Sequence, residues 1–136
     1  MSLTKPTTSA TYAATVLRIA LGVMYLAHAG LKLFVFTLAG TAKFFASVGF
    51  PGWSAYGVFG AEAAAGILLV VGWRTRWVTL ALIPVLLGAL TVHWGNGWVF
   101  TAPGGGWEYP LFLAVVSVAS ALLGDGAFAI RRGQLE

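Results

Sequence analysis

The chain has 136 residues, 59% hydrophobic and 9% charged, with a mean hydropathy of +0.87, a balance that excludes an ordinary soluble globular domain and points to a membrane protein. Cysteine is absent, which excludes disulfides, thiolate metal sites, iron–sulfur ligation and dithiol chemistry within the chain, so any redox role needs a bound cofactor or a partner. A net charge of +4 would suggest nucleic acid in a soluble chain, but here the topology of the spans accounts for it and no nucleic-acid element is present.

A membrane span needs about 20 mostly apolar residues to cross a core about 30 Å thick. The chain therefore has room for four short-looped helices in a single domain, residues 1–136. The pattern predicts an all-α membrane protein, a four-transmembrane-helix bundle. The first span covers about residues 12–36. It includes "IALGVMYLAHA", whose Ala27 and Ala29 mimic the small-residue pattern after a signal-peptide core, and the stretch is read as part of the span. The second span, about residues 54–72, ends in "GWRTR", and the third, about residues 77–93, contains Pro84 as its one expected bend. The loop "WGNGWVFTAPGGGW" leads to the fourth span, about residues 109–123, closed by "GDG". Trp53, Trp73, Trp77, Trp94, Trp98 and Trp107 all fall near predicted ends, where an aromatic belt belongs.

Lys5, Arg74, Arg76, Arg131 and Arg132 lie on the side shared by both termini, against Lys43 alone in the opposite loops. The positive-inside rule then makes both termini cytoplasmic. At 1.5 Å of rise per residue, Arg18 lies roughly 9 Å into the first span, His28 near ~24 Å and Lys32 near the external boundary. Glu62 comes to roughly 12 Å below the external surface, close to mid-membrane. His93 ends the third span and Glu108 begins the fourth on that same side.

Arg18, Tyr25 and Lys32 are spaced by sevens and His28 follows Tyr25 by three, which puts all four on one stripe of the first span. Gly57, Ala61 and Ala65, with Gly60 and Ala64 one step round, surround Glu62 with small side chains that let helix backbones approach closely. Glu62 is expected to point into the bundle beside the first span, where an unpaired charge costs about 2.5–3.5 kcal/mol on insertion scales. An Arg18–Glu62 ion pair, aided by His28, is the expected remedy. The alternative is a protonated Glu62 hydrogen-bonded to a neighbour.

"VLRIALGVMYLAHAGLKLF" resembles the opening helix of the DoxX family of small four-helix membrane proteins, with its Arg, His and Lys in the same order. "GAEAAAGILLVVGWRTR" is similar to that family's second helix, and "TVHWGNGWVFTAPGGGWEYPLFL" resembles its His-x-x-Asn-Gly, glycine-run and Glu-Tyr segment. The resemblance implies a four-helix bundle in a group described as oxidoreductases, whose relatives include a membrane subunit of a thiosulfate:quinone oxidoreductase and members of oxidant-defence membrane complexes. It marks Arg18, His28, Lys32, Glu62, His93, Asn96 and Glu108 as the positions of interest. It also implies a bacterial inner (plasma) membrane location and a partner subunit or homo-oligomer within the lipid bilayer.

A quinone headgroup needs donors to two carbonyl oxygens, an acid or base, and apolar walls. His28, Lys32 and His93 offer donors, Glu62 and Glu108 the acid or base, and Arg18, Tyr25 and Asn96 further polar contacts. Glu62, His28 and His93 are the candidate catalytic residues. A haem held axially by His28 and His93 is a second redox reading, set back by the position of both residues near helix ends. No tight His/Glu spacing supports a metal site. Outside redox chemistry, the same groups could form a polar lock in a non-catalytic accessory or assembly subunit, or mark the path of a small-solute transporter.

Overall fold

The computed structural model describes residues 8–130. Lys5, Arg131 and Arg132, which enter the orientation argument, lie outside the described residues. Among the described residues every regular element is helical: α1 (Thr8–Gly30), α2 (Leu38–Ser47), α3 (Ser54–Val71), α4 (Thr75–His93) and α5 (Glu108–Leu123). A π-helical turn, Leu31–Val35, prolongs α1, and a 3-10 turn, Trp94–Asn96, prolongs α4. Three helical segments, Thr8–Val35, Ser54–Val71 and Thr75–Asn96, are long and apolar enough to cross a membrane; α5 is apolar but shorter, at 16 residues.

The predicted spans coincide with α1, α3, α4 and α5, which form a ring in which α1 packs on α3 and α5, and α4 on the same two helices. The core between them is built from Leu21, Tyr25, Leu69, Leu82, Leu86 and Leu113. Large apolar side chains such as Val16, Val23, Ile67, Val115 and Leu122 are exposed on the outside. Such a surface belongs against lipid, because large exposed apolar side chains run along all the long helices, where a water-facing bundle would carry polar faces. Trp53, Trp77, Trp94 and Trp98 are exposed near helix ends.

The stretch between the first two spans, expected as a loop, contains α2. Thr37 caps it: its Oγ1 accepts from the Gly40 amide at 3.1 Å, while Thr41 Oγ1 donates to the Thr37 carbonyl at 2.8 Å. Ten residues are too few to register as a span, and the capping threonine is the one local sign of a helix start.

The small-residue contact also differs from expectation. Gly57, Gly60 and Ala64 are exposed. The close approach of α1 and α3 is instead made by Gly22 on Gly66: a Cβ on Gly22 would come within 2.9 Å of the Gly66 carbonyl oxygen and 3.0 Å of the Val70 amide nitrogen. The contact lies a turn nearer the end of α3 because the stripe that faces α1 runs through Glu62, Ala65, Gly66 and Leu69. Gly22→Ala is expected to destabilise the bundle by about 1–3 kcal/mol through overpacking against backbone atoms that cannot move aside. Gly57→Ala, where a Cβ meets nothing within 4 Å, should leave unfolding in detergent unchanged or slightly improved.

Candidate functional site

Arg18 does not pair with Glu62. It is 1% exposed, and its guanidinium donates to four backbone carbonyls: Leu69 and Val70, each at 2.7 Å from Nη1, Asp125 at 2.9 Å from Nε and Ala127 at 3.0 Å from Nη2. The last carbonyls of α3 have no intrahelical donor and sit at the negative end of the helix dipole, so they bind the buried guanidinium directly, and the Asp125 carboxylate nearby adds a Coulombic attraction. Antiparallel packing brings Arg18 level with Leu69, seven residues from Glu62, or about 10 Å at 1.5 Å per residue. That separation puts the carboxylate out of reach.

The partner of Glu62 is Lys32. Nζ lies 2.8 Å from Oε2, with the two side chains 14% and 7% exposed, so the pair bridges α1 and α3 in a largely desolvated setting. Lys32 sits in the π-helical turn, whose wider winding changes the direction of the residues that follow α1; such turns are frequent at functional sites. The flexible stem then carries the ammonium back from the helix end toward the carboxylate.

A cavity of about 780 Å³ opens beside this pair, at the end of the bundle that holds α2. Tyr25, His28, Lys32, Glu62 and His93 all line it, drawn from α1, its π turn, α3 and α4. Phe44, Phe45 and Phe50 from α2 and the segment after it supply much of the apolar wall. The structure thus brings together five of the residues singled out by the sequence. Arg18, Asn96 and Glu108 are not among its lining residues.

Asn96 and Glu108 organise the loop between α4 and α5. Asn96 Nδ2 donates to the Gly105 carbonyl at 2.9 Å, and Glu108 Oε1 accepts from the Phe100 amide at 2.8 Å. Gly104 and Gly105 adopt φ of +80° and +81°, a region that favours glycine. Their carbonyls lie 3.0 and 3.1 Å from His93 Nδ1. Trp107 stacks on Trp94 at 4.7 Å between ring centroids and meets Trp98 edge-to-face at 4.6 Å. A second cavity of about 730 Å³ adjoins this loop and includes Glu108; His93 and Tyr109 belong to the lining of both cavities.

Tyr109 is the functional candidate that sequence reasoning missed. His28 stacks on it at 5.9 Å between ring centroids, and its buried hydroxyl has no hydrogen-bond partner. The Tyr25 hydroxyl is likewise buried and unpartnered: Ser117 Oγ is its neighbour, but the two do not meet hydrogen-bond geometry. Both tyrosines line the cavity, and burying such groups unpaired is costly; Thr75, Ser117 and Ser120, which do not line it, carry hydroxyls in the same state. The "EY" doublet after the glycine run was the available signal for Tyr109. Among the described residues no group of three His, Asp or Glu side chains could hold a metal ion.

The DoxX family model matches residues 13–94, more than half of the chain. The chain is also similar to the Bacillus subtilis (strain 168) protein named "Putative oxidoreductase CatD", with 31% identity over 115 residues, covering 84% of this chain and 81% of that protein. No solved structure matches it. With its long apolar helices, lipid-type surface and this match across α1, α3 and α4, the chain is an integral membrane protein that belongs to the DoxX family.

Proposed function

We propose that the chain is a quinone-reactive subunit of a membrane oxidoreductase system, with its headgroup site in the cavity beside Lys32 and Glu62. The observation that carries this reading is the convergence of Tyr25, His28, Lys32, Glu62 and His93 on one space with aromatic walls. The size is suited to a single ring with part of an apolar tail, within the usual range for small-ligand sites of about 300–1,000 Å³. Tyr25, Tyr109 and Lys32 would hold the oxygens of the ring, Glu62 would exchange protons, and the phenylalanines of α2 would exclude water. When bound, the quinone supplies the two-electron chemistry that a chain without cysteine cannot perform.

In this reading α5 completes four crossings, both termini are cytoplasmic, and the cavity lies in the outer half of a bacterial inner membrane. Arg74 and Arg76 lie at the start of α4, at the opposite end of the bundle from Lys43, in line with that orientation. An electron donor must come from a partner subunit, since no other redox group is available within the chain.

The test is protein purified in mild detergent, analysed by visible spectroscopy and by mass spectrometry of its lipid extract, with Glu62→Gln alongside. Near-stoichiometric quinone, reduced about tenfold or more in the variant, is the expected result. Quinone-free native protein that also fails to bind added quinone would favour the polar-lock reading of the Lys32–Glu62 bridge. A Soret band would favour haem.

A further inference from the structure

The backbone fixes the hydrogen-bonding roles of the two histidines that line the cavity. His28 Nδ1 lies 2.7 Å from the Met24 carbonyl oxygen, and His93 Nδ1 lies 3.0 and 3.1 Å from those of Gly104 and Gly105. A carbonyl oxygen can only accept, so in each ring it assigns the hydrogen to Nδ1. The other nitrogen, Nε2, then carries a lone pair and no hydrogen in the neutral imidazole. Among the described residues no donor meets either Nε2. The expectation that His28 and His93 donate to quinone carbonyls therefore does not fit the tautomers that this fold imposes.

Resting on the quinone-site reading above, we propose that the cavity selects the reduced, dihydroxy form of the ring, with His28 and His93 as specificity-determining acceptors for its O–H groups. Donors are present too, on Lys32, Tyr25 and Tyr109, so the polar wall is mixed. A hydroxyl both donates and accepts and can be satisfied by such a wall. A carbonyl is satisfied by the donors alone and leaves both imidazole nitrogens desolvated and unpaired. The same logic disfavours an ether, which fills the space but has no hydrogen to give. Discrimination of this kind, through a buried polar group left without its partner, is stronger than discrimination by shape.

The full chain in lipid nanodiscs at pH 8, under anaerobic reducing or oxidising conditions as the probe requires, is titrated calorimetrically with three probes. These are a decyl-substituted benzohydroquinone, the corresponding benzoquinone, and the dimethyl ether of the hydroquinone. The hydroquinone should bind about tenfold or more tightly than either of the others. His28→Phe, which keeps a ring to stack on Tyr109, should narrow that advantage severalfold, by weakening the hydroquinone and by removing the unpaired nitrogen that opposes the benzoquinone. Benzoquinone binding as tight as hydroquinone, or ether binding as tight as either, overturns the inference and leaves the quinone site standing. Failure of all three probes on folded protein overturns both. A His28→Phe protein that keeps the full preference removes His28 from the proposal, and the same result in His93→Phe overturns it for both residues.

Discussion

Arg18→Leu is expected to cost the bundle about 3–5 kcal/mol, enough to remove much of the margin of a domain whose total stability is of order 5–15 kcal/mol. Arg18 ties together three segments that are far apart in the chain: its own helix α1, the last turn of α3 through Leu69 and Val70, and the residues after α5 through Asp125 and Ala127. Each hydrogen bond from a charged donor contributes about 1.5–3 kcal/mol, and a carbonyl left buried without a donor costs about 1–3 kcal/mol. Losing the buried guanidinium recovers part of its desolvation, which keeps the net below the sum of four bonds.

Of the carbonyls that Arg18 would release, that of Ala127 keeps a side-chain donor, Thr15 Oγ1 at 3.1 Å. Asp125 Oδ1 already accepts from the Thr75 amide at 2.8 Å, the Ala127 amide donates to Thr15 Oγ1 at 2.7 Å, and the Ile130 amide donates to the Val71 carbonyl at 3.1 Å. Release of Arg18 should therefore free residues 124–130 first, then fray α3 from Gly72 backward. Arg18→Lys should fall between the two proteins, because one ammonium cannot fork to carbonyls on both segments. Thermal unfolding in detergent and proteolysis within residues 124–130 read both effects. Because Arg18 is remote from the cavity, ligand affinity per folded molecule should be unchanged in Arg18→Lys, and a native-like melting temperature for Arg18→Leu would refute the account.

Much of this architecture was legible in the sequence because lipid imposes a simple rule: long apolar stretches become helices, and charges within them turn inward. The helices at the four predicted positions, three of them long and apolar enough to cross a membrane, and the inward-facing Glu62 follow from that rule. The pairing partner does not. Arg18 and Lys32 share one stripe of the predicted first span, and choosing between them requires the offset between two antiparallel helices, which is set by Gly22 meeting Gly66 and has no one-dimensional signature. The π-helical turn that brings Lys32 round is equally silent in sequence. The roles of Asn96 and Glu108 were also hidden, since they depend on loop carbonyls and amides whose directions follow from left-handed glycines at Gly104 and Gly105. His28 and His93 were found as residues, but their acceptor role came from backbone geometry alone.

Lys32→Met is expected to cost about 2.5–3.5 kcal/mol, because it strands the Glu62 carboxylate deep in the bundle without a counter-charge. The double variant Lys32→Met/Glu62→Leu should recover to within about 1 kcal/mol of the native protein, since replacing a whole buried ion pair by apolar residues of similar volume is often neutral or stabilising. The coupling energy from the four-protein cycle should therefore be at least about 2 kcal/mol, as fits a direct contact at 2.8 Å. Stability and ligand binding should separate in this cycle. A pair that served only to lock α1 to α3 could be exchanged for methyl groups at no functional cost. A pair that forms the polar floor of a headgroup site cannot, and the double variant should then be a well-folded protein whose hydroquinone affinity is about tenfold or more weaker than native. A double variant that is both stable and fully competent to bind would assign the ion pair to structure alone and move the polar chemistry of the cavity to His28, His93 and the two tyrosines.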